Sequence, residues 1–127
     1  MKLLLDTHTF LWSISNPTAL SEKAQNAFLN PKNELYFSAA SYWEICIKQS
    51  LGKLRLAQKW EESIDRELSV NQIKWLKIEK AHCQALVNLP FHHRDPFDRL
   101  LIAQAKTEKL TLMTKDQAIQ KYLKTLW

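Results

Sequence analysis

The chain opens with three leucines, Leu3, Leu4 and Leu5, followed directly by Asp6. An uninterrupted apolar run of this length predicts a short strand buried on both faces, as in a parallel sheet covered by helices. Ligands of such sheets bind in the crevice outside the carboxyl ends of the strands. Asp6 is therefore predicted to belong to a functional site, with partners from the ends of other strands or the starts of helices.

The rest of the chain alternates strand-like and helix-like segments. Further strands are predicted at residues 34–38, 73–78 and 110–114. Helices are predicted over residues 7–16, 21–30, 42–52, 59–68, 79–89, 96–105 and 117–123. This alternation indicates an α/β protein with a mainly parallel sheet between two layers of helices. A length of 127 residues suits a single domain spanning residues 1–127.

Composition excludes several classes of protein. With 46% hydrophobic and 24% charged residues, the chain does not have the composition of a disordered protein. No apolar stretch reaches the length of a membrane span or of a signal-peptide core, so we expect a cytoplasmic protein with no membrane association. The single glycine leaves no Gly-rich phosphate loop. The two cysteines, Cys46 and Cys83, are expected to be buried, reduced thiols without a chemical role.

Five acidic residues stand at the ends of predicted strands or the starts of predicted helices. Asp6 and Asp116 directly end strands, while Asp95 and Asp98 open a helix. Glu44 lies one turn into the helix that follows the second strand. The carboxyl ends of parallel strands and the amino ends of the following helices meet at the same rim of a sheet. We therefore expect these acids to lie near one another.

Each acid also has a purely structural interpretation. Glu44 can complete a capping box with Ser41 or form an ion pair with Lys48 four residues later. Asp95 is best explained as the N-cap before a proline at the first helical position. The other helix-terminal acids can also serve as caps, whereas Asp6 ends a strand and has less need of this role. The candidate site thus consists of four acids: Asp6, Glu44, Asp98 and Asp116.

Four carboxylates on one rim would require a proton or a cation between them. Two carboxylates about 4 Å apart repel by roughly 4 kcal/mol at an effective dielectric constant of about 20. An all-oxygen set, with no cysteine and no clear histidine partner, suits Mg²⁺ or Mn²⁺. Such an ion can lower the pKa of a bound water and offset charge on a leaving oxygen, which makes phosphodiester hydrolysis the natural use.

The distribution of charge agrees with a polyanionic substrate. The chain carries eighteen Lys and Arg against thirteen Asp and Glu, a formal net charge of +5. Without the four candidate acids, nine acidic residues remain against the same eighteen basic ones. A basic surface around an acidic pocket suits a nucleic acid that approaches a bound cation.

Four motifs resemble those of the PIN-domain ribonucleases, and in particular the VapC toxins of bacterial toxin-antitoxin pairs. The motifs are Leu-Leu-Leu-Asp-Thr at residues 3–7, Ser-Tyr-Trp-Glu-Ile at 41–45, His-Arg-Asp-Pro-Phe-Asp-Arg-Leu-Leu-Ile-Ala at 93–103, and Leu-Met-Thr-Lys-Asp at 112–116. The motif at residues 93–103 is the most specific of them. The resemblance extends over essentially the whole chain.

The resemblance implies a metal-dependent endoribonuclease toxin. It assigns Asp6, Glu44 and Asp98 as the core acids that hold Mg²⁺ or Mn²⁺, and Asp116 as the fourth. It also implies a PIN-like three-layer α/β/α fold with four or five strands and the first strand central, a homodimer, an RNA substrate, and a VapB-like antitoxin as partner. The alternative is a catalytically silent PIN-fold module that binds RNA or protein, and metal-dependent cleavage separates the two.

Several side chains near the acids are expected to have structural roles. The hydroxyls of Thr7 and Thr114 either orient carboxylates or serve as helix caps and strand-end hydrogen bonds. His93 lies in a predicted loop, where a surface position is favoured over a proton-shuttling role. Arg99 is expected to be a solvated charge, with contact to phosphate or to the acids as the alternative. Trp12 is expected in the core or an interface rather than as a base-stacking residue.

Overall fold

A computed structural model describes all residues, 1–127, and contains one five-stranded sheet. Its strands, all parallel, are β1 (Lys2–Leu5), β2 (Glu34–Ser38), β3 (Lys74–Leu76), β4 (Thr111–Met113) and β5 (Thr125–Leu126). The strand order is β3-β2-β1-β4-β5, which places β1 at the centre. The predicted α/β class, the parallel sheet and the central first strand are thus confirmed.

Six α-helices connect and cover the strands. They are α1 (Thr7–Ser15), α2 (Glu22–Leu29), α3 (Ala39–Ser50), α4 (Trp60–Val70), α5 (Lys80–Val87) and α6 (Pro96–Glu108). Two 3₁₀ turns, Pro17–Ala19 and Gln117–Lys121, lie between longer elements. None of the helices combines the length and the apolarity that crossing a membrane requires.

The leucines of β1 form the centre of two separate cores. Leu3 and Leu5 point to one face of the sheet and pack in a cluster with Phe10 and Phe37. Leu4 points to the other face and packs with residues of α6, including Leu101. All three leucines are fully buried. Successive side chains of a strand alternate between faces, so an uninterrupted apolar run is the pattern that two covered faces require.

The C-terminal end of the chain differs from the prediction. The predicted closing helix at residues 117–123 is a 3₁₀ turn, Gln117–Lys121, and the chain then adds the edge strand Thr125–Leu126. Leu126 packs in the same core as Leu3, so burial of this side chain outweighs continuation of the helix.

The cysteines are both free, but they are less buried than predicted. Cys46 is half-buried and Cys83 is exposed. Cys83 lies on α5, whose buried side is occupied by His82. The expectation of two buried thiols was therefore wrong.

We predict that Leu4→Ala destabilises the protein by about 2–5 kcal/mol, because it removes a fully buried side chain and leaves a cavity beneath α6. Urea denaturation followed by circular dichroism measures this change. The control is Leu29→Ala at a position that is 73% exposed, for which we expect a change within about 0.5 kcal/mol. Equal effects of the two substitutions would contradict the assignment of Leu4 to the core.

Candidate functional site

Asp6 lies where the central strand passes into α1, and it is held by hydrogen bonds on both carboxylate oxygens. Its Oδ1 accepts a hydrogen bond from the backbone N–H of Thr9 (2.8 Å), which makes Asp6 the N-cap of α1. The expectation that Asp6 has less need of a capping role was therefore wrong. Its Oδ2 accepts from the hydroxyl of Thr114 (2.5 Å), which follows the neighbouring strand β4. The same hydroxyl accepts from the backbone N–H of Asp116 (3.1 Å). This chain of hydrogen bonds fixes Asp6 relative to the end of β4.

Glu44 is buried at the same end of the sheet, with only 3% of its surface exposed. Its Oε1 accepts a hydrogen bond from the hydroxyl of Thr7 (2.6 Å), and its Oε2 lies 2.7 Å from Nζ of Lys48. The expected capping box does not form, because Ser38 caps α3 and the buried Ser41 hydroxyl has no hydrogen-bond partner. Of the two structural interpretations of Glu44, the structure shows the ion pair with Lys48.

The hydrogen bond to Glu44 raises the pKa of Lys48 above its ordinary value, although burial acts in the opposite direction. The carboxylates of Asp95 and Asp98 also act to raise the pKa of the lysine. The side chain of Lys48 therefore places a positive charge among several acids.

Asp95 and Asp98 have different roles at the start of α6. Asp95 is the N-cap, and its Oδ1 accepts from the backbone N–H groups of Phe97 (2.9 Å) and Asp98 (3.1 Å). The structural interpretation of Asp95 is thus confirmed. Asp98 lies in the first turn, and its carboxylate contacts the side chain of His93 and does not cap the helix.

His93 joins Asp98 to Asp116. Its Nε2 lies 3.0 Å from Oδ2 of Asp98 and 3.2 Å from Oδ2 of Asp116. The three ligand atoms lie within 4.8 Å of one another. Asp116 also caps the 3₁₀ turn through the backbone N–H of Ala118 (2.9 Å). The expected surface position of His93 was wrong, and no periodicity or spacing in the sequence indicates this contact.

The loop that carries His93 is held by a buried arginine. Arg99, 5% exposed, donates through Nη1 to the carbonyls of Pro90 (2.8 Å) and His93 (3.3 Å), and through Nη2 to that of Leu89 (3.3 Å). The hydroxyl of Tyr122 accepts from the backbone N–H of His93 (2.8 Å) and donates to Pro90 (2.7 Å). Arg99 is therefore a structural residue of this loop and not a solvated charge.

The crowding of negative groups changes the ionisation of Asp98. Its pKa is raised from 3.8 to about 7, first by burial and then by the carboxylate of Asp95, with smaller contributions from Glu44 and Asp6. His93 acts in the opposite direction and lowers this pKa. The pKa of Asp98 is therefore raised by one acid of its own helix turn, Asp95, and by acids from two other chain segments, Glu44 and Asp6, as expected for a shared rim.

The donor set fits a hard divalent cation. Carboxylate oxygens are the ligands that Mg²⁺ and Mn²⁺ prefer, and those of Asp98 and Asp116 are close enough to share one ion. The hydrogen-bonded oxygens of Asp6 and Glu44 retain lone pairs, since each carboxylate oxygen can accept more than once. The group that lies within 4.8 Å contains His93 with these two aspartates but not Asp6 or Glu44.

Comparison with known proteins identifies the family. The PIN domain family matches residues 3–124, and the chain therefore belongs to the PIN domain family. No curated protein matches the chain.

Three solved structures share the fold at low sequence identity. The structure of VapBC2 from Rickettsia felis, bound to a DNA fragment from their promoter, is similar at 16% identity and a TM-score of 0.75, with 100% of both chains covered. VapBC-1 from nontypeable Haemophilus influenzae has 22% identity and a TM-score of 0.61, with 98% of this chain and 96% of that chain covered. A toxin-antitoxin complex from Klebsiella pneumoniae has 17% identity and a TM-score of 0.55, with 90% of this chain and 86% of that chain covered.

The raised pKa of Asp98 predicts that the metal-free protein loses stability as the pH rises from about 4 to about 7. A carboxyl group whose pKa is higher in the folded state binds its proton more tightly there. Its contribution to stability is complete below the unfolded pKa of 3.8 and is lost as the pH passes through the folded value of about 7. Asp98→Asn cannot ionise and should lack this component.

The measurement is thermal unfolding in the presence of chelator at about pH 5 and about pH 8. The Tm of Asp98→Asn, relative to that of the wild-type protein, should be higher at the alkaline pH than at the acid pH. The same difference in Tm at both pH values would show that Asp98 has no raised pKa.

Proposed function

We propose that the protein is a metal-dependent endoribonuclease, and that residues 1–127 form one PIN domain. The observation that carries this proposal is the position of four acids, Asp6, Glu44, Asp98 and Asp116, which come from separate segments to one end of the parallel sheet. Carboxylates at the same end of the sheet repel one another, and a cation bound between them offsets this repulsion. The choice of RNA among phosphodiesters follows the resemblance of the sequence motifs to the PIN-domain ribonucleases.

The four acids would hold Mg²⁺ or Mn²⁺, which when bound supplies a water of lowered pKa and offsets negative charge on the phosphodiester. The hydroxyls of Thr7 and Thr114 orient two of the carboxylates, because each donates a short hydrogen bond to one of their oxygens. Lys48 and His93 reduce the repulsion among the acids. Thr7, Thr114 and Lys48 thus position the carboxylates, and His93 lies close enough to Asp98 and Asp116 to serve as a further ligand.

We further propose that the protein is the toxin of a toxin-antitoxin pair, with a VapB-like antitoxin as its partner. All three similar structures are described as VapBC or toxin-antitoxin complexes, and the likeness to the first covers the full length of both chains. On this proposal the protein acts in the cytoplasm, where its RNA substrate is found. The proposal includes a homodimer, for which light scattering should give twice the chain mass of 14.9 kDa.

We predict that Asp98→Asn and Asp116→Asn each reduce RNA cleavage by about 100-fold or more, because each removes a charged ligand from the cation site. The assay uses total bacterial RNA with Mg²⁺ or Mn²⁺, with and without chelator. The control is Asp65→Asn, since Asp65 is an exposed aspartate in the middle of α4 and is not one of the four candidate acids. This variant should cleave as the wild-type protein does.

Two results would count against the nuclease. Cleavage that persists in chelator would refute the requirement for a metal. RNA binding without cleavage, in wild-type protein supplied with either metal, would favour the catalytically silent binding module instead.

We predict that expression of the wild-type chain arrests bacterial growth and that Asp98→Asn does not, because growth arrest by a nuclease toxin requires cleavage. Co-expression of the small protein encoded beside the gene should relieve the arrest. Growth curves after induction measure the effect, and immunoblots confirm equal expression. Normal growth despite soluble, cleavage-competent wild-type protein would refute the toxin proposal.

A further inference from the structure

An open cavity of about 290 Å³ adjoins the acid cluster. Its lining consists of two acids of the candidate site, one lysine and two aromatic side chains: Asp6, Asp116, Lys115, His8 and Trp12. The acids and the lysine bring charge to the cavity, and the aromatic rings bring flat apolar surface. The proposed cation site does not explain the aromatic side chains, and the core explains only the part of Trp12 that is packed against it.

The two aromatic residues belong to the same face of α1. His8 and Trp12 are four residues apart on the helix, and their ring centroids are separated by 5.7 Å. Trp12 also packs against Trp127, with ring centroids 5.9 Å apart, and against the core beneath. Trp12 is therefore a half-buried residue whose indole is held from behind while part of it lines the cavity. A flat surface fixed in this way needs little reordering when a ligand stacks on it.

The charged residues of the lining suit a ligand that carries a phosphate group as well as a planar group. Lys115 is exposed and lies next to Asp116 in the sequence. Its ammonium group offers a positive charge to a phosphate beside the cation site. A ligand that matches both parts has a planar aromatic group joined to a phosphate through a short spacer. A nucleotide has this construction.

We propose that the cavity is a nucleobase subsite, in which one base of single-stranded RNA stacks on the indole of Trp12 with His8, whose ring is tilted by 41° to it, at the edge of the base. An adjacent phosphate lies toward Lys115 and the acids. The inference rests on the proposed ribonuclease function and adds to it a position that binds one base beside the acids. A base within a duplex is stacked between its neighbours and cannot reach such a surface, whereas a base in a loop can be splayed out. Every base can stack on an aromatic ring, so the subsite distinguishes unpaired from paired RNA more than it distinguishes one base from another.

The first test detects the base directly and does not require cleavage. The chain has five tryptophans and hence five indole N–H signals in a nitrogen-15 correlation spectrum. Trp12→Phe identifies the signal of Trp12, and Trp75→Phe identifies a control tryptophan on β3. Adenosine monophosphate with Mg²⁺ should shift the Trp12 signal and leave the Trp75 signal in place. Ribose 5-phosphate, which lacks the base, should cause no such shift.

The second test measures the kinetics of RNA cleavage. Trp12→Leu should raise KM by about tenfold, the usual effect of losing one stacked base, with little change in kcat. Trp12→Phe retains an aromatic face and should lie close to the wild-type value. His8→Ala alters an exposed side chain and should raise KM without affecting folding. Trp75→Leu is the matched control and should keep the wild-type KM.

The outcomes separate this inference from the function on which it rests. An unshifted Trp12 signal, or an equal shift with ribose 5-phosphate, would overturn the subsite even if the protein cleaves RNA. Wild-type KM values in both Trp12→Leu and His8→Ala would overturn it as well. A base-dependent shift at Trp12 in a protein that cleaves no RNA would support the subsite and refute the nuclease.

Discussion

The central constraint on this structure is the repulsion between carboxylates that the fold brings to one end of the sheet. The carboxyl ends of parallel strands all lie at one edge of the sheet, so acids that follow strands or begin helices lie along that edge. Ligand atoms of Asp98, Asp116 and His93 lie within 4.8 Å of one another there. A pair of carboxylates at about 4 Å costs roughly 4 kcal/mol at an effective dielectric constant of about 20. The protein offsets part of this cost with Lys48, His93 and two threonine hydroxyls. Burial and then the carboxylate of Asp95 raise the pKa of Asp98, and His93 opposes them only in part. A cation bound to this carboxylate would favour its charged form.

Local sequence was enough to predict the central strand of the sheet, but not the last edge strand or the start of α3. The run Leu3–Leu5 predicted a strand covered on both faces, and it is the central strand. Strand β5, Thr125–Leu126, is only two residues long, and two residues carry no periodicity. The start of α3 was misplaced because Ser38 and Ser41 are both suitable caps by residue type, and only the end of β2 decides between them.

In the candidate site, too, sequence predicted the residues that local features mark and missed those that tertiary contacts position. The acids were found from their positions in the chain, because a strand end or a helix start is a local feature. His93 was missed because its position results from loop contacts with Arg99 and Tyr122, which lie 6 and 29 residues away. Trp12 was assigned to the core, which is correct for one side of its ring, but no sequence pattern shows that the other side lines a cavity beside the acids.

The central claim is that acids from distant parts of the chain share one divalent ion. Anomalous diffraction from crystals soaked in Mn²⁺ tests this claim most directly. We expect a manganese peak within about 2.5 Å of a carboxylate oxygen of Asp98 and of at least one of Asp6, Glu44 and Asp116. A well-ordered crystal with no manganese at this end of the sheet, or with manganese bound only elsewhere, would contradict the account.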